Sequence, residues 1–149
     1  MAENLLKEPI TSIERILELI PQKPPFVMVD TLYDFTNLTG TTGFDILEDN
    51  ILVEDGIFSE PGLIEHMAQS MSLHRGFQGF LEGLKNPRTG FIGAIKSVEI
   101  IELPKAGTHL TTSVEILHEI MNVTSVSATT KNEQGVIIAT SEMKTVTVD

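Results

Sequence analysis

The segment from Ser59 to about Glu82 constrains this chain more than any other. Ser59 reads as a helix N-cap and Pro61 fits the first turn that follows it. Leu63, Ile64, Met67, Ala68, Met71, Leu73, Phe77 and Phe80 then spread around most of the helical cylinder. A helix that is apolar on nearly every side has to be covered on nearly every side. Gly76, Gly79 and Gly83 weaken its far end. Almost everything else reads as strand. Thr11 or Ser12 caps one short helix, with Ile13, Ile16, Leu17 and Ile20 as its stripe and Pro21 as its stop. Pro24-Pro25 predicts a stiff extended link into a strand over 26–30. Residues 31–46 are Thr-rich strand material around a turn at Leu38-Thr39-Gly40, and the acidic stretch 47–58 has no assignable period. After a loop at 86–90, residues 91–101, 110–118, 123–130 and 136–146 read as strands, with turns at 103–107, at Asn122 and at 132–135. One helix cannot cover a broad flat sheet, so the sheet must curl around it. The expected class is α+β, an antiparallel sheet wrapped around one long helix.

Composition narrows what such a fold can do. With 149 residues and 41% apolar content, the whole chain 1–149 is expected to form a single domain with a real core. There is no cysteine, which removes disulfides and thiolate metal sites. Residues 1–8 are mixed in charge and do not resemble a signal peptide, and no run approaches the ~20 apolar residues of a membrane span. The expected location is the cytoplasm. A net charge of −11 argues against nucleic acid and anionic membrane as partners. The four histidines show no metal-ligand spacing and no Gly-rich phosphate loop follows a strand, so neither metal nor cofactor is expected.

The long helix also carries a polar line. Glu65, Gln69, Ser72 and Gly76 recur at spacings of four, three and four, along one stripe. A carboxylate on an otherwise apolar helix has two explanations. It caps amides or pairs with a base, or it faces a cavity as an acid or base with a raised pKa. Met67 and Met71 fit core packing and also the wall of an acyl tunnel. The histidines offer little help. His66 points about 100° away from Glu65 and reads as a packing or interface residue, and His74 lies about 14 Å further along the axis. His109, in a predicted turn, and His118, at a strand end, are expected to be solvated.

Ile64-Glu65-His66-Met67-Ala68-Gln69 resembles the central-helix motif of the hotdog-fold 3-hydroxyacyl-acyl carrier protein dehydratases of the FabA and FabZ type. Residues 16–30, a helix, a Pro-rich link and Val29-Asp30, are similar to that family's opening signature. Residues 91–96 are similar to its strand after the central helix, and residues 103–110 to its Pro-x-x-Gly-Asp-x-Leu turn. The four matches fall in the family's order over about 130 residues. The resemblance implies a hotdog fold, Glu65 and Gln69 as catalytic residues and Gly93 as a substrate-binding residue, while the polar stripe adds Ser72 and the tunnel reading adds Met67 and Met71 to the substrate-binding candidates. It implies an acyl thioester on acyl carrier protein or coenzyme A as substrate, in fatty-acid or polyene-type biosynthesis. It also implies a homodimer or higher oligomer, or a heterodimer with a catalytic homologue. An acidic carrier would need a local basic patch, for which Lys85, Arg88, Lys96 and Lys105 are the candidates.

The chain departs from the family at one decisive place. The family's His, in a Gly-His-Phe-Pro motif before the helix, has no counterpart in Val53–Gly62, which also looks shortened. Pro61-Gly62 sits two residues closer to Glu65 than the family pattern has it, and Gln22 stands where the family has a His after the first helix. Three functions follow. The first is a dehydratase with Glu65 as its central acid/base. The second is a catalytically impaired subunit that binds carrier protein or partners an active dehydratase. The third is an acyl thioesterase with one helix carboxylate.

Overall fold

The computed structural model describes residues 3–83 and 89–148. Its elements run α1 (Ile13–Leu19), β1 (Thr31–Phe35), β2 (Thr39–Asp45), β3 (Val53–Glu54), β4 (Ile57–Phe58), α2 (Glu60–Leu81), β5 (Thr89–Ile100), β6 (His109–Ile120), β7 (Val123–Lys131) and β8 (Ile137–Val148). Six strands form one antiparallel sheet in the order β1-β2-β6-β7-β8-β5, and β3 and β4 make a separate small hairpin. The sheet curls around α2, which is the hotdog architecture that the helix pattern demanded. The capping expectations hold at both helices. Ser12 accepts from Arg15 N and Ser59 accepts from Gly62 N.

The core divides along α2. Leu63, Met67 and Met71 pack with Met28, Phe44, Phe58, Leu110, Val114, Val126 and Met143. Further along, Leu73 and Phe77 join Ile16, Leu19, Ile20, Val29, Leu32 and Phe35 beneath α1. Gly76, expected to weaken the helix, has a packing role. The backbone of α1 comes so close that a Cβ at Gly76 would run into the Leu19 carbonyl oxygen. Arg15 of α1 adds a cation over the Phe80 ring, 4.2 Å from its centroid.

Between α2 and the sheet runs a buried polar chain with a fixed direction. Met28 O can only accept, so His66 Nδ1 carries the hydrogen and donates to it at 2.6 Å. In the neutral ring Nε2 then accepts from the Thr112 hydroxyl at 2.7 Å, and Thr112 in turn accepts from Thr130 at 2.7 Å. One turn on, Ser70 donates to His66 O and accepts from Thr42 at 2.7 Å. Every one of these side chains is buried. Paired in this way, the groups avoid the penalty of lone buried dipoles and set the rotation of α2 on the sheet.

Two expectations fail between the first helix and the first strand. Residues 24–26 form a turn, with a cis peptide between Pro24 and Pro25 and Phe26 N donating to Lys23 O, so the proline pair is no extended link. Residues 26–30 are not a strand, and β1 starts at Thr31. The cause is that Met28 places both backbone groups on α2 side chains, its N–H on Gln69 and its carbonyl on His66. It therefore has none left for a sheet neighbour. The acidic stretch resolves into the β3–β4 hairpin, whose turn residues Asp55 and Gly56 both have positive φ. The last strand of the order, β5, pairs along one side with β8 and has no hydrogen-bonded strand on its other side among the described residues. Phe91 and Ile95 on it are each 51% exposed.

Two measurements test this packing. Gly76→Ala gains helix propensity of about 1 kcal/mol. It collides with backbone that has no rotamer to yield, which costs typically 1–3 kcal/mol, so a lower urea midpoint is expected. An unchanged midpoint would mean that α1 slides without cost. Burial holds the His66 imidazole down at about 4 from its ordinary 6.5, more than the Met28 carbonyl raises it. Protonation therefore favours the unfolded chain. This contribution is intact above pH 6.5 and falls away as the pH drops to about 4, for a total on the order of 3 kcal/mol. Urea titrations of the wild type and His66→Gln across that window should show a steeper acid loss in the wild type. Equal slopes would mean that the ring is solvated.

Candidate active site

Glu65 and Gln69 stand one turn apart on the side of α2 that turns away from the sheet. Gln69 is fully buried and clamps the 26–28 segment. Its Oε1 accepts from Met28 N at 2.6 Å, and its Nε2 donates to Phe26 O at 2.7 Å and to Glu65 Oε2 at 2.6 Å. The amide orientation follows from this network, because a flipped group would set its oxygen against two acceptors. The clamp leaves Glu65 with one oxygen held and Oε1 without a partner among the described residues. Glu65 is half-buried, not enclosed in the apolar surroundings that the sequence suggested. The cleft of about 450 Å3 in this region lies on the far side of the 24–29 segment. It is lined by Pro24, Pro25, Val27, Val29, Asp30 and Phe44 among others, and Glu65 is not one of them. Chemically, this is an oriented carboxylate with one oxygen open to a reacting group.

No histidine of the described chain stands beside it. The stretch where the resemblance places a His is the β3–β4 hairpin, and its last residue is Phe58, buried against Gly62. His66 is a buried packing residue that faces the sheet, with Nε2 on the Thr112 hydroxyl. His74 is buried, stacked on Phe35 at 4.6 Å and donating to Thr36 O at 2.9 Å.

His109 corrects the expectation of a solvated turn residue. It opens β6, with Nδ1 2.6 Å from Asp45 Oδ1 and Nε2 2.7 Å from the Tyr33 hydroxyl. Gly43 makes this possible, since a Cβ there would collide with both the Tyr33 ring and His109. Beside them Asp30 is held by Asp45 N and the Thr31 hydroxyl, and burial pushes its carboxyl up from the usual range. His118 is exposed as expected, but inside β6, and hydrogen-bonds Ser125 at 3.1 Å.

The remaining candidates scatter. Met67 and Met71 are fully buried in the core. Ser72 is buried on α2, and Gly93 lies at a β5 bulge over Val146. Lys96 pairs with Glu142 at 3.1 Å. Lys105 borders a different cleft beside Glu102 and Glu133, so these two do not make one basic patch. Lys85 and Arg88 lie outside the described residues. Among the described residues no three metal-ligating side chains gather, and no helix is long and apolar enough to cross a membrane. The Gln69 clamp was half legible, because the spacing of four gave the Glu65 contact. Its grip on Phe26 and Met28, 41 residues away for Met28, had no local signal.

Comparison with known proteins bears on the fold and the family. Among solved structures, the dehydratase heterocomplex ApeI:P from Xenorhabdus doucetiae superposes with a TM-score of 0.81 at 16% identity, over 90% of this chain and 91% of that one. A hypothetical thioesterase from Streptococcus pneumoniae TIGR4, solved with coenzyme A, gives a TM-score of 0.66 at 11% identity, over 92% of this chain and 97% of that one. The E. coli PaaI protein of the phenylacetic acid degradation operon gives 0.63 at 12% identity, over 77% and 80%. At these identities the likenesses show a shared hotdog fold. No curated protein matches in sequence. The model of the ApeP-like family, described as ApeP dehydratase, matches residues 14–149, nearly the whole chain. The chain belongs to the ApeP-like family of hotdog-fold dehydratases.

Proposed function

We propose that this chain takes part in dehydrating a 3-hydroxyacyl thioester, with Glu65 as acid/base, as one subunit of an assembly with a second hotdog chain. The observation that carries the reading is the Glu65–Gln69 pair, an aimed carboxylate with Oε1 unoccupied, in a member of a dehydratase family. Dehydration needs a base for the proton α to the thioester carbonyl and an acid for the departing hydroxyl. Glu65 Oε1 can accept the first proton and return it to the hydroxyl, which leaves as water and gives a 2-enoyl thioester. Gln69 is a positioning residue. Its N–H on Oε2 fixes the carboxylate rotamer, and its hold on residues 26–28 keeps that segment against the helix.

The partly exposed setting of Glu65 argues for cover from another chain, because a proton transfer of this kind gains from excluding water. Each of the four histidines already has a partner within its own chain, which favours a different chain over a second copy as the source of any second acid/base. The open side of β5 is a surface on which two sheets could join. The heterocomplex named for the Xenorhabdus structure is consistent with such a partner. The thioester handle, on acyl carrier protein or coenzyme A, is carried over from the resemblance and from the coenzyme A of the streptococcal relative. The hairpin without a histidine favours one alternative, an accessory subunit whose partner does the chemistry.

The test is to incubate the purified chain, alone and with a catalytic dehydratase homologue, with 3-hydroxyacyl-acyl carrier protein and follow the product by mass. The 2-enoyl product is expected, and Glu65→Gln should lower turnover by about 100-fold or more. Gln69→Ala should retain more activity, at a cost of roughly tenfold, because the base stays and only its orientation is lost. Product formation indifferent to Glu65→Gln would overturn the role of that residue. Turnover only with the homologue, unaffected by the substitution, would make the chain accessory, and release of free acid would make it a thioesterase.

A further inference from the structure

On the face of the sheet turned away from α2, the strand register gathers a small polar cleft. Val126 packs in the core and Thr130 joins the buried chain to His66, so Ser125, of opposite parity on β7, points the other way. His118, Ser125, Lys144 and Ala94 are successive partners across β6, β7, β8 and β5, a single row over four strands. With Lys96 and Glu142 they line a cleft of about 330 Å3. Ala94 is the small residue of the row and leaves room at its end. The strands on either side are bulged next to the cleft, β6 between Ile116 and His118, and β5 between Ile92 and Ala94 and again between Ile95 and Ser97. Bulges re-aim side chains, and Lys96 is itself the extra residue of the second β5 bulge.

The chemistry of the row is that of donors and cations. Ser125 is 2% exposed and shares a 3.1 Å hydrogen bond with His118 Nε2. In either direction of that bond one hydrogen is left over. If Nε2 accepts, Nδ1–H is free to donate, and if Nε2 donates, the Ser125 hydroxyl is. Lys144 makes no ion pair among the described residues, while Lys96 is held by Glu142 at 3.1 Å. Two ammonium groups against one carboxylate give the lining a formal excess of one positive charge, with Glu115 in the neighbouring row on the same face, in a chain whose net charge is −11. Glu142 opposes an anion, and it also holds Lys96 over the cleft.

We propose that this cleft is an anion site that takes a phosphate-type group, with Lys144, Lys96 and the His118–Ser125 pair as its ligands. A tetrahedral dianion offers several acceptor oxygens, and charge-assisted hydrogen bonds to ammonium and imidazole are the strong kind. The site lies across the sheet from Glu65, so its test does not depend on dehydration.

The test is to titrate the intact chain with inorganic phosphate and with phenyl phosphate at constant ionic strength set by sodium chloride. The His118 ring signals are followed by NMR and the heat by calorimetry. Saturable binding with Kd on the order of 1 mM or tighter is expected, with the largest shifts at His118. Lys144→Gln and Ser125→Ala should each weaken it roughly tenfold while the far-UV circular dichroism is unchanged. Tighter binding of phenyl phosphate would identify a phosphorylated organic ligand, and equal or weaker binding would identify the free ion. A linear, non-saturating response, or full affinity in the Lys144→Gln, Ser125→Ala double variant, would overturn the proposal.

Discussion

Gln69 and His66 hold the architecture together by gripping a piece of chain that belongs to no sheet. Between them they satisfy Phe26 O and both backbone groups of Met28. Backbone polar groups beside a buried helix must find partners, and here helix side chains supply what a neighbouring strand otherwise would. The grip roofs α2 on the side that the sheet does not reach. It places Met28 in the core and brings the chain to β1 at the correct edge. The same glutamine reaches Glu65, so one amide joins the fold and the candidate site. Loss of that amide would leave a backbone N–H, a carbonyl and a carboxylate short of partners together.

The two halves of the problem differed in legibility. The long helix was readable because an all-round apolar pattern with Ser59 and Pro61 at its start has one physical meaning. The curled sheet followed from it by elimination. Strand limits over 91–146 held within about two residues, because Val, Ile and Thr alternation is a local signal. The strand expected at 26–30 failed for the opposite reason, since its apolar pattern is real but its hydrogen-bond partners are side chains some 40 positions away. His109 failed likewise. Its pairing with Asp45 and Tyr33 depends on the empty space over Gly43, which no local pattern announces. At the candidate site the spacing of Glu65 and Gln69 gave their contact. Exposure of Glu65 was not visible, because it depends on what lies over α2.

The histidine count sharpens the chemistry. Each ring is engaged within its own chain, by the sheet at His66, by Phe35 and Thr36 at His74, by Asp45 and Tyr33 at His109 and by Ser125 at His118. The hairpin that stands where the family has its histidine motif is short and tied by Phe58 N to Pro104 O, so it has little freedom to deliver a side chain to Glu65. Among the described residues, the candidate site presents a carboxylate oriented by Gln69 with no histidine beside it.

The side of β5 that has no paired strand among the described residues bears on how this protein behaves at high concentration. Twelve residues of strand, interrupted by bulges at Gly93 and Lys96 and with Phe91 and Ile95 half in water, present open amides and carbonyls to an incoming strand. An edge of that length templates further strands, its own kind included, until something covers it. Left uncovered, such an edge favours stacking into aggregates. Where that edge stays open, the concentration of the chain governs its solubility as much as its own sequence does.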